Sequence, residues 1–349
     1  MIIRPSIYAF LLCLFNTFGS AQSLFPFEQE GLWGYIDSNG TVIIPPTFPM
    51  AGFFYEGKAY AQIGNGFGYI DVTGKEVIPS KYPAAFNFND GYASVLDIEN
   101  WCIINATGEM VIPPIFKHPV QFHNGLARFN MNIGSSSFYG FINTKGDTAI
   151  EAQFDKAGEF SEGLCLASKG GYKYGYIDTI GRWVIEPKYT MENSMKVNGD
   201  YDYSDKNFSG GYAAVMKDEK YGVIDKTGKL VIGFKYGYIG QFSEGLAPAK
   251  KDSLFGYIDI NENWVIKPKY NGAESFHNGL AAVSKGSFLE EKWGFIDRTG
   301  KVSIPLTIYA NHSFTEPMRF LNGAVPCFIE KGVFGYLNRQ GQVIWKKEN

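Results

Sequence analysis

An aromatic residue followed by glycine, set in a short apolar run that leads into an Asx-x-x-Gly turn, recurs along this 349-residue chain, as in "KWGFIDRTGKVSIP" (292–305). Nine copies align on Trp33-Gly34, Phe67-Gly68, Trp101 with Cys102 in the glycine's place, Tyr139-Gly140, Tyr174-Gly175, Tyr221-Gly222, Phe255-Gly256, Trp293-Gly294 and Phe334-Gly335. Their mean spacing of about 38 residues is that of stacked supersecondary units, each of which buries its faces against its neighbours. The chain is therefore expected to form one repeat array rather than two separate cores.

Three strand-length segments make up each copy: "GLAAVS" (279–284), "KWGFID" (292–297) and "KVSIP" (301–305). They predict a three-stranded antiparallel β-meander and an all-β fold, a reading that 16% aromatic residues and 41 glycines support. The second turn reads "DSNG", "DVTG", "NATG", "NTKG", "DTIG", "DKTG", "DRTG" and "NRQG"; only "DINEN" (259–263) lacks the glycine. Asp or Asn there accepts local backbone hydrogen bonds, and Gly supplies the left-handed residue. Pro45, Pro79, Pro113, Pro187, Pro268 and Pro305 are expected to end the third strand, because proline cannot donate to a ladder. A connection then reaches an F-x-x-G element, first seen at Phe88–Gly91. Apolar residues on both strand faces require each sheet to be covered on both sides. Tandem meanders or hairpins stacked as an open twisted array fit this pattern. The alternative is a β-propeller-like ring, although nine units exceed the typical blade number of about four to eight.

"FSEGLAPAKKDSLFGYIDINENWVIKPKY" and "FHNGLAAVSKGSFLEEKWGFIDRTGKVSIP" resemble the bacterial WG-repeat (KWG) family over essentially the whole mature chain. That resemblance implies an exported or envelope-associated protein and carries no catalytic residues to transfer. Cys102 for Gly, and Phe or Tyr for Trp in six copies, depart from the family pattern.

"MIIRPSIYAFLLCLFNTFGSAQS" has one cation, Arg4, then an apolar run and the small residues Gly19, Ser20 and Ala21. It reads as a signal peptide over 1–21, with 22–349 forming a single repeat domain. Its apolar run is shorter than the roughly 20 residues that span a bilayer, so no transmembrane segment is expected once it is removed. The product would be periplasmic, at the cell surface or secreted. Formal charge is −3 without long like-charge runs, which argues against a nucleic-acid partner. Cys102, Cys165 and Cys327 have neither disulfide nor zinc spacing and are expected to be buried thiols.

Trp, Tyr and Phe exchange freely in the aromatic-glycine pair, which marks the aromatics as packing residues rather than a stacking platform for a ligand. The glycine is read as a small residue needed for clearance at negative φ, because Cys102 would be strained at positive φ. "DVTG", "DKTG" and "DRTG" are turn aspartates and not an aspartic-protease signature. His123 and His277 are expected as exposed loop residues without metal-ligand spacing. Glu159, Glu162 and Glu244 are the recurring acids near the connections and would be the candidates for a hydrolase.

Function in repeat arrays concentrates where the repeat is broken. The longest interruption, "TMENSMKVNGDYDYSDKN" (190–207), carries Asp200, Tyr201, Asp202, Tyr203 and Asp205 as a candidate interaction loop. "NMNIGSSS" (130–137), "KGSFLEE" (285–291) and "TIYANHSFTEP" (307–317) are further expansions that would make a composite surface if they shared a rim. The reading is an exported, non-catalytic binding or scaffold protein of the cell envelope. Its partner would be a protein or a cell-wall glycan, and no cofactor or metal is expected. An envelope-polymer hydrolase and a purely structural spacer are the alternatives.

Overall fold

The computed structural model describes residues 23–134, 136–190, 196–197, 200–201, 206–287, 290–309, 318–320 and 323–347. The expected signal segment lies outside them. Among the described residues all regular elements are strands except for one short helical turn at Lys206, and every pairing is antiparallel. Each of the nine units is built on the expected meander, as in Lys58–Ile63, Gly66–Asp71 and Glu76–Tyr82 of the second. Units are numbered here from Trp33 (unit 1) to Phe334 (unit 9).

A very short lead strand, which the sequence pattern does not announce, precedes the meander. In unit 5 it is Lys156–Ala157, paired with Cys165–Ser168, Tyr174–Ile177 and Trp183–Tyr189 in that order. The F-x-x-G element is the hairpin that joins lead strand to meander. Its two central residues take positive φ, as at Glu56 (50°) and Gly57 (75°), and Tyr55 and Lys58 exchange both backbone hydrogen bonds across it. This is the primed two-residue turn whose twist matches that of its strands.

The second meander turn forms as expected. Asp71 Oδ1 accepts from the N–H groups of Thr73 (2.9 Å) and Lys75 (3.1 Å), and Gly74 sits at φ 83°. Where the glycine is missing, Glu262 takes the left-handed position at φ 65°.

The prolines do not end the third strand. It runs on past Pro45 to Phe48 and past Pro187 to Tyr189. A bulge makes this possible: Trp33 lies opposite Phe48 and Tyr35 opposite Ile44, so two steps on one strand face four on the other. Proline sits inside this excursion, where no ladder donor is needed.

Nine hydrophobic cores each lie between two units. Ala59, Ala61 and Ile70 of unit 2 pack on Tyr35 and Ile44 of unit 1, and the pattern continues to the pair formed by units 8 and 9. The ninth core joins the chain's two ends, with Phe25, Phe27 and Ile36 of unit 1 against Ala324 and Tyr336 of unit 9. An open array and a ring differ only at their ends, and here the ends meet, as in the ring. Nine units can close because each brings only a short lead strand towards the axis. Successive lead strands touch through side-chain to backbone bonds, Ser275 Oγ to Gln241 O (2.8 Å) and Ser161 Oγ to Phe208 O (2.8 Å). The third strands, with Val42, Val265 and Val343 nearly half exposed, form the circumference.

Candidate interaction surface

Antiparallel order divides the turns between two rims. Lead hairpins and Asx-Gly turns share one rim; first meander turns and the unit-to-unit connections share the other. All four sequence expansions are anchored on the second rim. Segments 130–137 and 285–291 occupy the first meander turns of units 4 and 8, joining Leu126–Ile133 to Ser136–Asn143 and Leu280–Lys285 to Lys292–Asp297. Segment 307–317 begins within the third strand of unit 8, Val302–Tyr309, whose last residue pairs with Phe328 of unit 9; residues 310–317 lie outside the described residues.

The longest expansion interrupts the lead strand of unit 6 itself. Thr190 pairs with Met216, its N–H donating to Met216 O at 2.8 Å, which places it level with Lys156 of unit 5. The chain is back in register at Lys206, whose carbonyl accepts from Tyr176 Oη at 2.8 Å. Residues 191–205 thus stand where the other units hold one residue. Lys206 clamps the exit: it is 7% exposed and its ammonium lies over the rings of Tyr221 (5.0 Å) and Tyr238 (5.8 Å). Within the loop, Lys196–Val197 pairs with Asp200–Tyr201 as a separate hairpin. Asp202, Tyr203 and Asp205 lie outside the described residues.

The aromatic-glycine pairs line the interfaces between units. Tyr221 is buried, and Trp33, Phe67, Trp101, Tyr139, Tyr174, Phe255, Trp293 and Phe334 are half-buried. The residue two positions on carries the core, and Tyr35, Tyr69, Phe141, Tyr176, Tyr257 and Tyr336 are at most 1% exposed. None of the paired glycines is at positive φ. A Cβ on Gly34, Gly68, Gly175 or Gly256 would stand 2.2–2.5 Å from the carbonyl oxygen of Ile44, Ile78, Ile185 or Ile266, where the bulged third strand crosses. Cys102 occupies this position in unit 3, fully buried, its thiol donating to Val95 O at 3.4 Å.

The buried core tyrosines tie one unit to the next. Tyr35, Tyr69 and Tyr257 donate across 2.7 Å to the carbonyls of Gly52, Phe86 and Glu274 on the following lead strand. Burial drives these phenols well above their ordinary pKa.

The acids named as hydrolase candidates make contacts between units. Glu162 Oε2 accepts from Gly211 N–H (3.1 Å) of the next unit and pairs with Lys226 (3.0 Å); Glu244 accepts from Gly279 N–H (3.0 Å). Glu159 pairs with Arg128 at 3.4 Å. The Thr73, Thr227 and Thr299 hydroxyls, each donating to the turn aspartate before it, lower the pKa of Asp71, Asp225 and Asp297. His277 is exposed as expected, whereas His123 is half-buried because its ring packs in the lead hairpin 3.2 Å from Asn89 Nδ2. Burial pushes the thiols of Cys102 and Cys327 up to about 11 and about 12. Among the described residues no cluster of three or more His, Cys, Asp or Glu could hold a metal ion, and no helix is long and apolar enough to cross a membrane.

A family model described as "WG containing repeat" matches residues 33–66, 67–97, 101–132, 139–172, 174–191, 197–221, 221–254, 255–287 and 293–316. Its boundaries split the interrupted stretch after Tyr174 in two, and they leave the Phe334 copy unmatched. Among solved structures, one described as a eukaryotic initiation factor is similar, with 13% identity and a TM-score of 0.60 over 94% of this chain and 96% of that one. BamB from Moraxella catarrhalis aligns at 10% identity and a TM-score of 0.40, over 85% of this chain and 98% of its own. The likeness to the first concerns the fold alone. No curated protein matches the chain.

Proposed function

The chain belongs to the WG-repeat family, and from that premise we propose that it is an exported, non-catalytic scaffold of the bacterial envelope that binds its partner through the expanded rim. One observation carries this reading: all four expansions of the repeat are anchored on the same rim, the longest as a 15-residue interruption of a lead strand. Random insertion would distribute expansions over both rims, because both consist of surface turns. The partner is a protein or a cell-wall glycan. The acids and tyrosines of 200–205 offer hydrogen-bonding and stacking groups suited to either. The acids that could have served a hydrolase are engaged in turns and in ties between units, which favours a binding role.

The test replaces residues 191–205 by a single alanine, the arrangement of Ala157 in unit 5. The unaltered chain should retain a wall fraction or a single lysate protein, and the shortened chain should lose it with its unfolding temperature unchanged. Undiminished capture by the shortened chain would contradict the reading, as would hydrolysis of wall polymer by the unaltered one.

A further inference from the structure

On the opposite rim, a carboxylate reaches from one lead hairpin to the glycine of the next. Gly91 N–H donates to Glu56 Oε2 (2.9 Å), Gly125 N–H to Asp90 Oδ2 (3.0 Å), Gly211 N–H to Glu162 Oε2 (3.1 Å) and Gly279 N–H to Glu244 (3.0 Å). The residues that carry the accepting carboxylates adopt φ of 50–53°, a conformation uncommon for a residue other than glycine, so the contact offsets a backbone cost. Each of these four glycines is half-buried.

Unit 6 breaks the series. Its hairpin reads Ser209-Gly210-Gly211, so no side chain extends from position 210 towards Gly245 of unit 7. Gly245 N–H has no hydrogen-bond partner among the described residues, and Gly245 is exposed. A cavity of about 170 Å³ lies at this step, lined by Ser209, Gly210, Tyr212, Ser243, Gly245 and Ile260 among others. Ile260 occupies the turn position of Lys226, which pairs with Glu162 one unit earlier. Gly210 and Ile260 thus stand in place of both the carboxylate and its cation, and leave an unpartnered amide donor in a lining that includes Ser209, Ser243 and Ile260. The Arg298 Nη2 atom lies 3.7 Å from where a Cβ on Gly245 would stand, which adds positive potential. The carboxylate of Glu244, also in the lining, is bound to Gly279.

We propose that this cavity binds a short aliphatic carboxylate, which takes the place of the side chain missing at Gly210 and accepts from Gly245 N–H. Asn124 precedes Gly163 and Asn278 precedes Gly323, so these two hairpin glycines also meet no carboxylate; Gly163 differs from Gly245 in that Asn124 turns its amide to Phe160 O (2.9 Å), and an added Cβ on Gly163 meets nothing within 4 Å. This site is independent of the expanded rim.

Propionate is the glutamate side chain without its backbone and is the probe. In ¹H–¹⁵N spectra of the full chain, sodium propionate should shift the Gly245 amide saturably, with half-saturation in roughly the millimolar range expected of so small a ligand. Sodium chloride at equal ionic strength should not, and Gly163 should not respond. Gly210→Glu, at a φ of 61° close to that of the other glutamates, should abolish the response by filling the site. Ile260→Lys, at a half-buried turn position beside the core of units 6 and 7, should strengthen binding on the order of fivefold by restoring the cation, with an unchanged unfolding temperature showing that the fold is kept. The proposal fails if Gly245 shows no saturable shift, if Gly163 shifts equally, or if Ile260→Lys leaves the affinity unchanged.

Discussion

Tyr336 Oη donates to the Pro26 carbonyl across 2.9 Å, joining residues 310 positions apart. The same phenol position makes the tie between consecutive units, as Tyr35 does with Gly52, but there the acceptor lies on the next lead strand. In unit 1 the lead-strand positions fall outside the described residues, and Tyr336 takes a carbonyl of the first meander strand instead. The packing adjusts accordingly. Phe25 and Phe27 stand where unit 2 has Ala59 and Ala61, and they meet Tyr336 and Trp345 with centroids 5.6 and 6.0 Å apart. Lys347 pairs with Glu28 at 2.5 Å across the same seam.

Tyr336→Phe should weaken this seam specifically. The loss of one buried hydrogen bond, with a carbonyl left behind, costs about 1–2 kcal/mol. Tyr257→Phe should cost a similar amount, but units 7 and 8 are also joined by the connecting chain. Hydrogen exchange should therefore accelerate in Phe25–Gln29 and Val333–Asn338 for Tyr336→Phe, with no comparable local opening for Tyr257→Phe. Equal protection of the seam in both variants would show that the end-to-end contact contributes nothing to closure.

Clearance at the aromatic-glycine pair gives a graded prediction. A Cβ at Gly175 would meet the Ile185 carbonyl oxygen at 2.2 Å, and at Gly222 the Ile232 oxygen at 2.7 Å. Backbone cannot yield as a flexible side chain does, so Gly175→Ala should lower stability by about 2–4 kcal/mol and Gly222→Ala by less. Denaturant midpoints of the two variants decide the order. Cys102→Gly, in the copy that already accommodates a side chain, should change stability by no more than about 1–2 kcal/mol.

The turns and the glycine clearance were legible in the sequence because both are local. Asp71-Val72-Thr73-Gly74 dictates its own geometry, and the exchange of Cys102 for glycine points to steric crowding instead of positive φ. Ring closure was not legible, because it depends on the angle between units, to which no single residue bears witness. The lead strand escaped notice because a pair such as Lys156–Ala157 has no periodicity to read. Choosing between the two aromatics of "WGY" or "FGY" also needs the sheet: Tyr35 is fully buried and Trp33 only half-buried. Glu162 and Glu244 looked like loop acids free for chemistry. Their recurrence just before the hairpin glycine, as in "SEG", was the signal of a tie to the next unit.

Glu262 offers a test of turn strain. It holds the left-handed position that glycine fills in the other copies, and its carboxylate pairs with Lys235 at 2.7 Å. That pair is exposed and contributes at most about 1 kcal/mol. Tyr236 Oη also donates to Glu262 Oε1 at 3.4 Å. In a Lys235→Ala, Tyr236→Phe background, where both contacts are absent, Glu262→Gly should raise stability by about 1 kcal/mol through relief of backbone strain. Thermal unfolding with and without Glu262→Gly in that background isolates the backbone contribution, and a loss of stability there would mean that the turn is not strained.

Acid sensitivity should reside in the same turns. Asp71, Asp225 and Asp297 titrate below the usual carboxylate range, chiefly because the hydroxyls of Thr73, Thr227 and Thr299 donate to them, with help from backbone N–H groups. A carboxyl with a depressed folded-state pKa stabilises fully above its unfolded value of about 3.9, and that contribution disappears as pH falls through the folded value. Unfolding midpoints should therefore decline below about pH 4. Asparagine serves the same geometric role at Asn105, whose Oδ1 accepts from Thr107 and Glu109 N–H at 3.0 Å, without titrating. The triple variant Asp71→Asn, Asp225→Asn, Asp297→Asn should match the parent near neutral pH more closely than a triple alanine variant does, and lose less stability in acid. An unchanged acid slope in the asparagine variant would move the origin of the sensitivity to other carboxylates, with Glu162, held down by Lys226 and Gly211, the first to examine.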